Sequence, residues 1–223
     1  MSLKSVLRGI APLAALAFAA AASGGCDRMH VSLDGEEGAK LADLDLNGAP
    51  PNEVALLGPD TVRIAQGDKL AISIEGDPEV AEQMRFTLKD GTLGILRKNG
   101  KSSGDGTVTV NVTMPAPRKL MLAGSGKIFA PALADDSARV SVAGSGSVET
   151  DNVATDSLKV DIAGSGGTAF ASDGSVRANI MGSGEVRVIG RATCKVTAMG
   201  SGRLVCEPSA SAGTKPKGGK PRA

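Results

Sequence analysis

The tripeptide Gly-Ser-Gly occurs five times: Gly124-Ser125-Gly126, Gly144-Ser145-Gly146, Gly164-Ser165-Gly166, Gly182-Ser183-Gly184 and Gly200-Ser201-Gly202. Successive copies start 20, 20, 18 and 18 residues apart. A period this short and regular demands stacked units, because one such unit cannot bury an apolar face alone.

The flanks show what each unit is. Four residues before each first Gly stand Leu120, Val140, Val160, Ala178 and Val196. Two before it stand Leu122, Val142, Ile162, Ile180 and Ala198, and between these lie Met121, Ser141, Asp161, Asn179 and Thr197. Four after it stand Ile128, Val148, Thr168, Val186 and Leu204. Alternation on both sides of the turn is the period of a strand with one buried face. Each unit is therefore strand, Gly-Ser-Gly corner, strand and a looser return. The fold expected is all-β, a right-handed parallel β-helix or solenoid, with the glycines allowing positive φ and close backbone approach at the corner. Ser is small enough to stack on the Ser of the next layer, so the corners should pile into a serine ladder.

Gly-Ser-Gly is not read as a catalytic or phosphate-binding loop. A phosphate loop needs a following helix and a Lys at fixed spacing. A nucleophile elbow needs Gly-x-Ser-x-Gly and a His. Five near-identical copies serve geometry, whereas an enzyme needs one nucleophile.

Composition agrees with thin stacked layers. Aromatics are 2% of the 223 residues, with no Trp or Tyr, and there are 30 Gly. A core without large rings must be narrow and filled by Val, Ile, Leu, Ala and Met. The net charge is +1. Lys4, Arg8, Lys215, Lys217, Lys220 and Arg222 lie in the two ends. The stretch 26–212 keeps 19 of the 25 basic residues against all 24 acids, a net of −5. Nucleic acid is not an expected partner of a mildly acidic body.

Residues 1–25 read as an export signal: Lys4 and Arg8, an apolar run from Gly9 to Ala22, then small residues. The run is short for a membrane span. Ser23-Gly24-Gly25-Cys26 resembles a bacterial lipoprotein cleavage box, with Cys26 as the lipidated residue. Ser23 departs from the aliphatic residue usual there, and ordinary cleavage near Ala22 is the rival. A lipid on Cys26 would tether the chain to a membrane without spanning it. Residues 26–53 read as a tether or irregular lead-in, with a short alternating piece around Leu41–Leu46.

Before the repeats, Thr61–Ala65, a turn at Gln66–Asp68 and Lys69–Ile74 read as strand, turn, strand. Pro78 to Met84 reads as one or two helical turns. Arg85–Leu88, Asp90-Gly91 and Leu93–Leu96 read as a hairpin. Thr107–Met114 alternates cleanly and ends at Pro115. These are early rungs or a capping sheet, since terminal units must shield the end of the stack. The domain is placed at 54–206, with a basic tail at 207–223 expected to be disordered.

Few side chains invite chemistry. His30 is the single His, so a His-based triad or zinc cluster is excluded. Cys194 and Cys206 lie six residues on either side of Gly200 and share inward parity. They are either a disulfide across the last coil, permitted by export, or two buried thiols acting as small apolar residues. The acids Asp135, Asp136, Asp151, Asp156, Asp161, Asp173 and Glu185 are scattered. Asp161 points outward between Ser141 and Asn179, a polar face without a paired carboxylate.

The five corners with their flanks, such as Leu122-Ala123-Gly124-Ser125-Gly126-Lys127-Ile128 and Ile180-Met181-Gly182-Ser183-Gly184-Glu185-Val186, resemble the bacterial auto-transporter adhesin family with a head-GIN domain. The lead-in Val62 to Leu96 and the strand ending at Met114-Pro115 are similar too. The resemblance implies an exported parallel β-helix, often behind a lipoprotein signal, and offers no catalytic residue, metal or cofactor to carry over. Gly166-Gly167-Thr168 departs from the pattern, so that coil should be looser. The function expected is a non-enzymatic cell-envelope protein, adhesive or scaffolding. Its expected partners are a membrane through Cys26 and a glycan or envelope protein. The alternatives are a polysaccharide-binding or polysaccharide-cleaving β-helix, and a periplasmic subunit of a larger assembly.

Overall fold

The computed structural model describes residues 38–98, 106–134, 137–153 and 155–208. The proposed signal, Cys26, His30, Asp135, Asp136 and residues 209–223 of the tail lie outside them. The chain first forms β1 (Glu53–Leu57), β2 (Thr61–Gln66), β3 (Ala71–Gly76), a helical turn α1 (Pro78–Ala81), β4 (Met84–Lys89), β5 (Thr92–Arg97) and β6 (Val108–Met114). The repeats then supply β7 (Lys119–Gly124), β8 (Lys127–Leu133), β9 (Ser137–Gly144), β10 (Ser147–Val153), β11 (Ser157–Gly164) and β12 (Gly167–Ser172). They end with β13 (Ser175–Gly182), β14 (Glu185–Ile189), β15 (Thr193–Met199) and β16 (Arg203–Glu207).

Each coil gives one strand to a front sheet and the next to a back sheet. The front order is β15-β13-β11-β9-β7-β1-β5-β4 and the back order β16-β14-β12-β10-β8-β2-β6-β3. Every pairing within the stack is parallel, and only β4 on β5 and β3 on β6 are antiparallel. The architecture is a β-solenoid closed at one end by its own antiparallel strands. Inward side chains stack in columns, such as Val54, Leu120, Val140, Val160 and Ala178, all buried. Large rings are few, with Phe86 and Phe170 buried among columns that are otherwise mostly aliphatic.

The corners explain the glycines. Gly124, Gly144, Gly164, Gly182 and Gly200 have φ of 128°, 116°, 123°, 119° and 116°. A Cβ on Gly144 would lie 2.5 Å from the Gly124 carbonyl oxygen. That carbonyl accepts from the amides of both Ser145 and Gly146, each at 3.0 Å, and the Gly144 carbonyl accepts from Ser165 and Gly166 in the same way. The second glycine faces inward: a Cβ on Gly146 would meet Leu122 Cδ2 at 2.6 Å. The column of corners is thus held by main chain. The serines are exposed, and no serine hydroxyl bonds to another among the described residues, so the side-chain ladder expected from the sequence is a backbone ladder.

Three other expectations change. Glu53–Leu57, within or beside the presumed lead-in, is a strand with Val54, Ala55 and Leu56 buried. Leu41–Leu46 holds a 3-10 turn at Leu41–Asp43, not a strand. Its Leu41, Leu44 and Leu46 pack on the core, at a spacing of two to three that a strand pattern imitates. The coil at Gly167 is in register with both neighbours at its corner, and the irregularity falls instead between Thr150 and Val153, near the return.

The first coil, β1 and β2, sits inside the stack, with β5 and β6 on one side and β7 and β8 on the other. Its corner is Gly58-Pro59-Asp60, directly under Gly124-Ser125-Gly126. The side chain of Asp60 is fully buried. It accepts from Arg97 Nε at 2.8 Å and Nη2 at 2.6 Å, and from the Val108 amide at 3.0 Å. Arg97 Nη2 also donates to the Gly106 carbonyl at 2.8 Å. Hydrogen bonding to Asp60 holds the Arg97 pKa above its ordinary value. This pair joins the end of β5 to the start of β6, where the tight corner gives way to a longer connection.

Gly144→Ala should destabilise by about 2 kcal/mol or more through forced φ and the lost approach. Ser145→Ala should stay within about 0.5 kcal/mol. Equal losses in denaturant melts would contradict the backbone origin of the column. Arg97→Ala, which strands a buried carboxylate, should cost about 3–5 kcal/mol; an unchanged midpoint would show that Asp60 does not need its partner.

Candidate functional site

Parallel register turns a sequence position into a line on the surface. The residue five before each corner's first Gly is basic in all five repeats: Lys119, Arg139, Lys159, Arg177 and Lys195. The structure pairs them in that order across β7, β9, β11, β13 and β15. By parity they point out of the front sheet, and all but the half-buried Lys119 are exposed. Strand spacing of about 4.8 Å makes the row roughly 19 Å long.

From Arg139 onward its neighbours are polar. On one side lie Ser137, Ser157, Ser175 and Thr193, and on the other Ser141, Asp161, Asn179 and Thr197. Glu53 takes Lys119 at 2.8 Å and Arg118 at 3.6 Å. Asp161 takes Lys159 at 3.3 Å and accepts from Asn179 at 2.8 Å. Among the described residues, Arg139, Arg177 and Lys195 have no acid within ion-pair distance. A shallow cleft of about 350 Å³ begins at this row, lined by Glu53, Lys119, Ser137, Arg139, Ser157 and Lys159 among others.

The back sheet differs. Glu185 sits beside Arg203 and within 3.6 Å of Arg187, so opposite charges meet there. Arg63 lies over the Phe129 ring at 4.9 Å. On the return edge Asp173 accepts from the Arg191 amide at 2.8 Å and its guanidinium at 2.7 Å, which hold the Asp173 pKa below the usual carboxylate range. Of the acids singled out in the sequence, Asp161 therefore lies on the front face, Glu185 on the back face and Asp173 on the return edge. Among the described residues no three His, Cys, Asp or Glu gather as metal ligands. No described helix is long and apolar enough to cross a membrane. Thr150, Thr155 and Thr168 have buried hydroxyls without a partner, Thr150 and Thr168 on the paired strands β10 and β12.

Cys194 on β15 and Cys206 on β16 form a disulfide, with Cα atoms 6.8 Å apart. It ties the front sheet to the back sheet at the last coil. There the core is no longer covered: Val196 is 45% exposed, although its column is buried in every earlier coil.

The family profile described as "putative auto-transporter adhesin, head GIN domain" matches residues 50–146 and 134–192. The chain belongs to this head-GIN family. Solved structures similar to this head-GIN chain include a putative adhesin from Bacteroides fragilis NCTC 9343, 13% identical, with a TM-score of 0.41, covering 71% of this chain and 92% of that one. A putative cell adhesion protein from Clostridium sporogenes ATCC 15579 is 14% identical, with a TM-score of 0.39, over 74% and 96%. A putative lipid binding protein from Parabacteroides distasonis ATCC 8503 is 19% identical, with a TM-score of 0.33, over 71% and 93%. A comparison with curated proteins finds no match.

Sequence reasoning listed the positions four and two before each corner and missed position five, where the basic row lies. The net charge of the body concealed it. The repeated register was the signal that could have found it.

Replacing both Cys194 and Cys206 with Ser should lower stability by roughly 2–3 kcal/mol, the scale for a loop of this size. Amide exchange should speed first in Thr193–Glu207. Uniform acceleration over both sheets would show that the bond does not act on the last coil.

Proposed function

We propose that the protein is a non-enzymatic, exported cell-envelope protein that works by adhesion through the outer face of its solenoid. The observation that carries this reading is the front sheet, where repeated coils set identical positions side by side on a flat outer face. Repetition of this kind multiplies one weak contact into several along a line. Membership of the head-GIN family agrees with a role at the surface. Export by residues 1–25 and a lipid on Cys26 would hold the domain at a membrane while leaving its sheet faces outward.

A second reading is a subunit of a larger envelope assembly. Its support is the uncovered last coil, where Val196 and Met199 are 45% and 68% exposed.

The adhesive reading is tested by incubating labelled full chain with envelope fragments. Saturable retention, competed by unlabelled chain and without release of sugar ends, is expected. Absent retention would remove the adhesive role, and released sugar fragments would make the protein an enzyme.

A further inference from the structure

We infer that the basic row of the front sheet binds a linear acidic polysaccharide, one bearing carboxylates on its sugars, laid across the strands along the solenoid axis. This deepens the adhesive reading and rests on it.

Charge favours such a ligand. Five cations stand in one file, and three of them meet no acid among the described residues. Like charges on paired strands repel, and nothing in the packing of an exposed face requires them. A bound polyanion converts that repulsion into attraction. The back sheet shows that repetition alone does not force such a row, since Glu185 there sits between Arg187 and Arg203.

Spacing fits it too. The cations repeat at the strand separation of about 4.8 Å. A 1,4-linked pyranose advances its chain by close to one strand spacing, so successive sugars can each meet a new coil. The lining also suits a sugar chain. Hydroxyls of Ser137, Ser157, Ser175 and Thr193 run beside the last four cations, and the cleft at Lys119, Arg139 and Lys159 is floored by two of these serines. Hydroxyl groups suit a sugar. Nucleic acid strands favour aromatic platforms, and Phe129, the half-buried ring, lies on the back sheet. An anionic bilayer would use the exposed Met181 and Met199, which share the front face near its open end; these two cover only the last coils, whereas the cations run through all five repeats and the hydroxyls through four.

The test compares the full chain with Arg139→Gln/Arg177→Gln on the front sheet and Lys127→Gln/Arg187→Gln on the back sheet. Both double variants remove the same charge, and the tail is unchanged in each. Unfolding midpoints verify that both fold. Probes are polygalacturonate, neutral dextran, vesicles with anionic phospholipid, and a single-stranded oligonucleotide. Polygalacturonate should bind in a salt-weakened manner. The front variant should weaken it by roughly tenfold or more, as expected for two surface cations. The back variant should stay within about twofold, and Arg139→Lys/Arg177→Lys should retain binding. Equal losses in both variants, tighter binding to vesicles or oligonucleotide than to polygalacturonate, or no binding would overturn the proposal. Envelope retention that survives the front substitutions sinks this ligand class alone; loss of retention by wild type sinks the adhesive reading itself.

Discussion

The structure depends on how closely one turn of backbone can lie on the next. At each corner a glycine carbonyl accepts from amides of the following coil, two of them in the Gly124 and Gly144 layers. That approach leaves no room for a Cβ: one placed on Gly164, Gly182 or Gly200 would lie within 2.5 Å of the carbonyl beneath it. Once the corners are locked, strand register follows, because one strand of each coil ends and the next begins at the same fixed point. Columns of mostly aliphatic side chains then pack with Phe86 and Phe170 as the buried rings among the described residues, and a chain with 2% aromatics can still fill its core. A slip of one residue would turn every column outward, so the corners also decide which face is wet.

Much of this was legible. The repeats announced layers, and the alternation around each corner named the inward residues. What escaped had physical causes. Glu53–Leu57 is a strand without alternation, since Val54, Ala55 and Leu56 are all buried; a strand covered on both faces carries no period of two. Asp60 stands where the repeats have their second glycine, but its partner Arg97 is 37 residues away, a separation that no local pattern spans. The insertion of β6 between β2 and β3 is also non-local. The disulfide was a matter of parity, which put Cys194 and Cys206 on one side of their strands but left bonding open.

The two ends of the stack obey one rule by different means. An end exposes both the core and a row of unpaired backbone groups. At the N-terminal end, β3 and β4 reverse direction and pair antiparallel, which breaks the parallel propagation. At the other end the last coil keeps the repeat pattern, loses its cover and is tied across by Cys194 and Cys206. A covalent link holds the two final strands at a place where burial can no longer do so. Among the described residues, that coil holds Val196 and Met199, two of the four exposed large apolar side chains.

Repetition has a second consequence at the surface. Each outward residue is copied every coil, so a preference that is weak in one repeat becomes a line in the stack. Where that line is serine, the effect on stability is small. Where it is cationic, each added coil adds repulsion between neighbours on the order of a few tenths of a kcal/mol to 1 kcal/mol. Position five before the corner holds Lys or Arg in all five copies, while the structure needs only an outward polar side chain there. The fold tolerates the row and does not explain it. A local rule broken without gain to packing is the mark of a surface shaped by what it meets, and the front sheet carries that mark along its full set of repeats.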